Sequence, residues 1–270
     1  MQESSALGRV VELVRELRRR CPWDAAQTPQ TLRPYLVEEA LELDHALGKQ
    51  DSESIREELG DLLLHVAFQI VLAEEAGAFG TEDLVRTVER KMWRRHAHLF
   101  PAAAAGASEN ASGDKRPASW EHAKAPERQE GAPGYGVLDG LPANLPALLM
   151  AYRLQERAAG VGFDWSDPRG PLDKIREELG ELEAELSATA ATKERTARLS
   201  HEIGDILFAV VNLARKLDLD PRAALEDANR RFADRFRHME RLAAERGIDI
   251  STAGLETLDR LWEETKQDAQ

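Results

Sequence analysis

Carboxylates are the residues of this sequence that could do chemistry, and they recur in one order at two places. The first set lies at residues 38–42 and 58–61 and the second at residues 177–181 and 202–205, each reading EExxE and then ExxD. Residues three apart lie on one face of a helix, so each pair forms a claw of two carboxylates. Two such helices packed side by side would direct four carboxylates at one point.

Four carboxylates that converge on one point need cations. Two carboxylates ~4 Å apart repel by roughly 4 kcal/mol at an effective protein dielectric constant of about 20. Neighbouring positions such as Leu41, Leu59 and Leu62 are apolar, so the acidic stripe runs beside a buried face. Oxygen-only ligand sets favour hard ions, which predicts Mg²⁺ as the cofactor with Mn²⁺ as a substitute. A single EExxE is more typical of a solvated helix face, but two copies in the same order favour a metal site.

The repeat extends beyond the acidic residues. Three pairs of segments match in the same order: YLVEEALEL (35–43) with KIREELGEL (174–182), REELGDLLLHVAF (56–68) with SHEIGDILFAVVN (200–212), and ERKMWRRH (89–96) with NRRFADRF (229–236). The last pair sets Lys91 opposite Arg231, and Arg95 opposite Arg235. The glycine-rich phosphate loops GxxxxGK[ST] and GxGxxG do not occur in the sequence. We therefore predict that metal and these four cations would contact the phosphate groups of a ligand.

Most of the chain carries the apolar periodicity of helices. Apolar residues recur at spacings of three and four, and no segment shows the alternation of a strand. The pattern predicts an all-α fold with two tandem helical bundles, each containing a pair of acidic helices. The predicted helices lie near residues 5–20, 31–48, 52–76, 81–98, 142–158, 171–188, 195–217, 221–245 and 251–266. Asp51 and Ser52 are predicted to cap the third of them, and Thr81 the fourth.

Residues 101–134 differ in composition from the segments on either side. Ala, Gly, Ser and Pro dominate the first part of this segment, which is typical of a linker. The sequence therefore predicts an N-terminal helical domain over residues 1–100, a linker over residues 101–134 and a C-terminal helical domain over residues 135–270.

The composition indicates which cellular compartment and which classes of binding partner to expect. The chain of 270 residues carries 49 Asp and Glu against 36 Lys and Arg, a formal net charge of −13 that disfavours a nucleic-acid partner. The longest apolar stretches, such as residues 206–214, are too short to span a membrane, so no membrane partner is expected. The single cysteine, Cys21, and a start without a basic segment followed by an apolar core predict a cytoplasmic protein.

One histidine raises the alternative of a di-iron site. Glu42 and His45 form an ExxH pair, which is typical of the di-iron sites of ferritin-like bundles. Ala184 stands at the matching position of the second half, so we interpret His45 as fortuitous. His201 is expected to face away from the acidic residues.

The chain outside the linker resembles the MazG nucleoside triphosphate pyrophosphohydrolases, in their two-domain bacterial form. The segments that carry the resemblance are CPWDAAQT (21–28), YLVEEALEL (35–43), EELGDLLLHV (57–66), RRHAHLF (94–100), LQERAAGVGFDW (154–165), HEIGDILFAVVNLAR (201–215), ANRRFADRFRHME (228–240) and LWEETK (261–266). The resemblance implies an all-α fold, a homodimer and hydrolysis of NTPs or dNTPs to the monophosphate and pyrophosphate. The expected role is housekeeping removal of non-standard or excess nucleotides.

The resemblance also assigns the metal ligands. In the second half the implied Mg²⁺ ligands are Glu178, Glu181, Glu202 and Asp205, and their first-half counterparts are Glu39, Glu42, Glu58 and Asp61. Glu177 and Glu38 would orient or activate water behind these ligands.

Substrate contacts follow from the same resemblance. Arg231 and Arg235 stand where the family places phosphate-contacting basic side chains, with Lys91 and Arg95 at the matching first-half positions. The implied catalytic residues are Glu177, Glu178, Arg231 and Arg235. The implied substrate-binding residues are Arg231, Arg235, Trp262, Lys266, Lys91 and Arg95, the pair Trp262 and Lys266 matching a C-terminal WxxxK associated with the nucleotide.

The resemblance places hydrolysis in the C-terminal half, although the acidic residues are present in both. Two other classes of function remain open at this point. The chain could be a catalytically silent regulator that binds nucleotides, or a ferritin-like di-iron protein.

Overall fold

The computed structural model describes residues 5–96, 99, 136–187 and 193–267. These residues form ten α-helices and no strand, so the predicted all-α fold is confirmed. The helices are α1 Gly8–Arg20, α2 Pro22–Ala25, α3 Pro29–Lys49, α4 Ser52–Glu75, α5 Thr81–Arg95, α6 Ala147–Ala159, α7 Arg169–Ser187, α8 Lys193–Lys216, α9 Pro221–Glu245 and α10 Leu255–Gln267.

Local sequence signals account for most helix ends. Asp51 caps α4 as predicted, because its carboxylate accepts a hydrogen bond from the backbone N–H of Glu53. The predicted cap of α5 is wrong by one residue, since the cap is Gly80 and the backbone N–H of Gly80 donates to the Asp83 carboxylate. The short helix α2 was not predicted, because four residues are too few to show a period.

The chain divides into two compact units, Met1–Arg116 and Pro117–Gln270, called here the first and the second unit. Most of the predicted linker lies outside the described residues, so the domain limits 1–100, 101–134 and 135–270 stay predictions. Among the described helices, none is long and apolar enough to cross a membrane.

The first unit is organised around α4. Helix α3 packs along α4, and α1 packs on α4 as well. The core between them is apolar and consists of Val14, Leu32, Ala67, Phe68, Val71 and Leu72. Two ion pairs reinforce the α1–α4 contact, one from Arg15 to Glu74 at 2.6 Å and one from Arg18 to Glu75 at 2.7 Å. This packing fixes the acidic face of α3 against that of α4.

The second unit repeats the pairing of acidic helices and adds a second layer. Helix α7 packs along α8, α6 packs on α8 and α9, and α10 packs on α9. Met239, Ala243 and Leu261 form the core between α9 and α10. The loop before α7 is held by Asp164, whose carboxylate accepts hydrogen bonds from Arg215 and Lys216 on α8. The second unit therefore combines the acidic pair α7–α8 with a helix pair, α9–α10, that carries Arg235, Phe232 and Trp262.

Candidate metal centres

Carboxylate oxygens converge in each unit where the two acidic helices meet. The first acidic cluster consists of Glu39, Glu58 and Asp61, and the second acidic cluster consists of Glu178, Glu181 and Glu202. In each cluster, the three residues offer one oxygen apiece, and these oxygens all lie within 4.8 Å of one another. Each cluster has one exposed member, Asp61 in the first and Glu181 in the second. The other two members are half-buried in the first cluster and buried in the second, where Glu178 is 4% and Glu202 8% exposed.

Two predicted ligands are not members of these clusters. Glu42 lies outside the first cluster, although its charge helps to raise the pKa of Glu39 and of Glu58. Asp205 lies outside the second cluster, and its Oδ2 is 3.3 Å from Nε2 of His201. The expectation that His201 faces away from the acidic residues is therefore wrong, because a spacing of four places both side chains on one helix face.

The clustered carboxylates perturb one another. Burial raises the pKa of Glu202, and the charge of Glu181, the charge of Glu178 and a hydrogen bond with Glu181 raise it further, against a lowering contribution from His201. Burial likewise raises the pKa of Glu39, followed by the charge of Asp61. Each cluster therefore holds more negative charge than the protein around it neutralises.

The second acidic cluster has an oxygen with no protein partner. Oε2 of Glu202 is buried and accepts no hydrogen bond from any described group. A buried carboxylate oxygen in that state is costly unless a cation or a donor satisfies it. All three side chains of the cluster offer oxygen, the donor type that Mg²⁺ and Mn²⁺ prefer. The residues present therefore fit a hard divalent cation.

Basic groups that sequence reasoning missed lie against both clusters. Lys174 is one helical turn before Glu178, and its Nζ is 2.6 Å from Oε1 of Glu178. In the first unit, Nε2 of His65 is 3.8 Å from Oε1 of Glu39, and the His65 ring stacks on Tyr35 with centroids 6.1 Å apart. The i,i+4 spacing of Lys174 and Glu178 was a usable signal, whereas the contact of His65 depends on how α3 packs on α4.

Glu177 and Glu38, the predicted water-orienting residues, lie at the edge of the clusters. Oε1 of Glu177 is 2.9 Å from Nζ of Lys174, and the Glu177 side chain is exposed. Glu38 is exposed on α3. His45, the residue behind the di-iron alternative, is exposed and belongs to neither group of converging donors in the described part of the chain.

Two predicted substrate-binding residues come together where α9 meets α10. The guanidinium carbon of Arg235 lies 5.2 Å from the ring centroid of Trp262, within the range of a cation–π interaction. Phe232 extends this aromatic surface, with its ring centroid 5.2 Å from that of Trp262. The structure thus places a cation and two aromatic faces together, which are the groups needed for a phosphate and a base.

The other predicted cations are exposed or half-buried on their helices. Arg231 forms an ion pair with Asp227 one turn earlier, and Lys266 forms one with Glu263. Lys91 is exposed on α5, and Arg95 is half-buried on the same helix. The structure does not join these side chains to either acidic cluster by a described hydrogen bond or ion pair.

The known proteins that this chain resembles are described as nucleotide or nucleoside triphosphate pyrophosphohydrolases. Residues 27–100 match the MazG nucleotide pyrophosphohydrolase domain. The nucleoside triphosphate pyrophosphohydrolase of Escherichia coli strain K12 is 38% identical over 267 residues, covering 99% of this chain and 98% of that protein. The nucleoside triphosphate pyrophosphohydrolase/pyrophosphatase MazG of Thermotoga maritima is 41% identical over 247 residues, covering 91% of this chain and 89% of that protein. A Mycobacterium tuberculosis nucleoside triphosphate pyrophosphohydrolase is 32% identical, covering 82% of this chain and 66% of that protein.

The raised pKa of Glu202 predicts a pH-dependent stability in chelator. A raised carboxyl pKa in the folded state contributes stability that is present below the ordinary value of about 4.5 and is lost as the pH rises through the raised value. Glu202→Gln removes the charge that causes this loss. In EDTA, urea denaturation should show that the variant gains stability over the parent protein as the pH rises from about 4 to 7.

Glu183→Gln is the matched control, because Glu183 is exposed on α7 and belongs to neither cluster. Its stability relative to the parent protein should change little over the same pH range. A gain for Glu202→Gln that shrinks with rising pH would contradict the assignment of charge repulsion to this cluster.

Proposed function

We propose that this chain, which belongs to the MazG family, is an enzyme that hydrolyses nucleoside triphosphates to nucleoside monophosphates and pyrophosphate. The observation that carries the proposal is the convergence of buried Glu178 and Glu202 with exposed Glu181, with one oxygen of Glu202 left without a protein partner. Relatives that match almost the whole chain bear the name of this activity. The cellular role that fits is the removal of non-standard or excess nucleotides.

Mg²⁺ is the cofactor that this cluster suits, with Mn²⁺ as a substitute. Glu178, Glu181 and Glu202 would hold it, and Asp205 is on the same helix one turn after Glu202. A divalent ion supplies neutralisation of the triphosphate and stabilisation of the charge that develops on the leaving pyrophosphate.

The remaining chemistry belongs to side chains of the chain. Arg231 and Arg235 would bind the phosphate groups, since charge-assisted hydrogen bonds to phosphate are stronger than the exposed contacts that they make in the free protein. Trp262 would offer a ring face to the nucleotide, and Lys266 a further cation. Glu177 would orient the attacking water as a hydrogen-bond acceptor.

The second unit is the better candidate for the working site. Its cluster is more deeply buried, and a buried cluster strengthens electrostatic interactions with a bound ligand. Only in the second unit does the described structure show an arginine stacked on a tryptophan. The first unit, with Lys91 and Arg95 on α5, would serve stability or regulation.

A homodimer is proposed from the apolar residues that the acidic helices leave exposed. On α7 these are Leu172, Leu179 and Leu186, which recur every seven residues. On α8, Ile203, Leu207 and Val210 are about half exposed. A seven-residue repeat of leucines is the pattern by which one helix packs against another. A second copy of the chain would cover this face.

Product analysis tests the activity. Incubation of the purified chain with each NTP and dNTP in Mg²⁺ should release pyrophosphate and the monophosphate, and EDTA should abolish turnover because substrate and carboxylates repel without a cation. Orthophosphate as the only inorganic product would contradict the proposal. Binding of nucleotide without any turnover would instead identify a silent regulator.

Matched variants separate the two units. Glu202 and Glu58 hold the same position in the repeat and belong to the second and first cluster, respectively. Glu202→Gln should lower kcat by roughly 10²–10⁴-fold, since a metal ligand contributes several kcal/mol to the transition state. Glu58→Gln should reduce kcat far less. Equal losses would mean two working sites, and a loss confined to Glu58→Gln would reverse the assignment.

The dimer is tested by light scattering over a range of concentrations. Twice the 30.1 kDa mass of the chain is expected. Leu179→Glu should shift the distribution towards the monomer, because it places a charge in the proposed interface. Leu255→Glu is the control, since Leu255 is exposed at the start of α10 and away from this face. An active species that stays monomeric at every concentration would refute the dimer.

A further inference from the structure

Lys174 is the one described basic side chain that forms an ion pair with a residue of the second acidic cluster. Its Nζ lies 2.6 Å from Oε1 of Glu178 and 2.9 Å from Oε1 of Glu177. The Glu178 side chain is 5% exposed, whereas that of Lys174 is 40% exposed. A carboxylate as buried as Glu178 is costly without a counter-charge. Hydrogen bonds to Glu177 and Glu178 raise the pKa of Lys174, so its ammonium group stays charged.

The repeat shows that this contact is specific to the second unit. Lys174 aligns with Tyr35, which stacks on His65. His65 in turn aligns with Ala209, so the second unit has no imidazole at that position. The matching glutamates Glu178 and Glu39 therefore each have a basic neighbour. It is an ammonium group from the same helix in the second unit and an imidazole from the facing helix in the first.

The ammonium group of Lys174 satisfies one side of the cluster and leaves the other open. It contacts Glu177 and Glu178 on α7, while Oε2 of Glu202 on α8 accepts no described hydrogen bond. One positive charge facing three clustered carboxylates leaves net negative charge at the oxygen of Glu202. The remaining negative charge on Glu202 attracts a divalent cation. When no cation is bound, Glu178 still has the ammonium group of Lys174 as its partner.

We infer that Lys174 is a positioning residue, the internal counter-ion that holds the Glu178 carboxylate in place while the second acidic cluster contains no divalent cation. The inference builds on the proposed function, because that function supplies the cation. It assigns to Lys174 a role in the metal-free protein, separate from any contact with substrate. When a cation binds, its charge replaces part of what the ammonium group supplied.

A double-mutant cycle in chelator tests this role. In EDTA, Lys174→Met should lower the melting temperature by roughly 5 °C, because the linear side chain is kept and only the counter-charge is lost. Adding Glu178→Gln to Lys174→Met should recover most of that loss, since the buried side chain that Lys174 compensates is then neutral. Lys174→Arg should stay close to the parent protein. Arg176→Met is the matched control, because Arg176 is an exposed cation on the same helix whose ion pair is to Asp173.

The second measurement is the change in melting temperature when Mg²⁺ replaces EDTA. The rise in melting temperature on replacing EDTA with Mg²⁺ should be larger for Lys174→Met than for the parent protein, because the ion supplies the missing positive charge. If Lys174→Met does not fold in EDTA, folding of the double variant supports the inference and failure of the double variant overturns it. A melting temperature unchanged by Lys174→Met, or a loss that Glu178→Gln does not recover, also overturns it.

These outcomes are independent of turnover. The cycle in EDTA measures the pairing of Lys174 with Glu178 even if the chain hydrolyses no nucleotide. Pyrophosphate release by the parent protein would stand if the cycle showed no coupling.

Discussion

Carboxylates packed at the seam between two helices repel one another and lose water, and the rest of each unit depends on how that cost is offset. The helices that carry them are held together by apolar packing elsewhere, as around Phe68 and Val71 on α4. Because that packing fixes the two acidic faces, the carboxylates cannot separate to relieve their repulsion. Burial and the neighbouring carboxylates raise the pKa of Glu39 and of Glu202, so the charged form of each is disfavoured in the folded protein. A seam of this kind is stable with a cation and poorly neutralised without one.

Sequence periodicity predicted the helices and their pairing well, since the long helices carry apolar residues at spacings of three and four. It also predicted which helices bear the acidic residues. Spacing could not predict which carboxylates converge, because that depends on the rotation of each helix about its axis. Glu42 and Asp205 share a helix face with cluster members yet lie outside the clusters, and Asp205 meets His201 instead. The contact between His65 and Glu39 joins two helices and left no signal in either one alone.

The two units keep the same acidic pattern and differ in what surrounds it. In the second unit, α6 packs on α8, the loop of Asp164 is tied to α8, and α9 carries α10. Glu178 and Glu202 are buried in this unit, and the contact of α9 with α10 brings Arg235 against Trp262. In the first unit, Asp61 is exposed, and helix α5, which carries Lys91, has no buried residue. The same ligand types therefore lie in environments that differ in how far they are buried.

The cations proposed to meet the substrate already have partners inside the second unit. Arg231 pairs with Asp227, Lys266 with Glu263, and Arg235 stacks on Trp262. Exposed pairs one helical turn apart contribute only about 0.3–0.5 kcal/mol, and a half-buried cation–π contact about 0.5–2 kcal/mol. A triphosphate offers stronger charge-assisted hydrogen bonds than any of these. Substrate binding then exchanges weak internal partners of these cations for a phosphate group that binds them more strongly. Affinity in such a site is set by the difference between the two sets of contacts, which favours a polyphosphate over a ligand with a single phosphate.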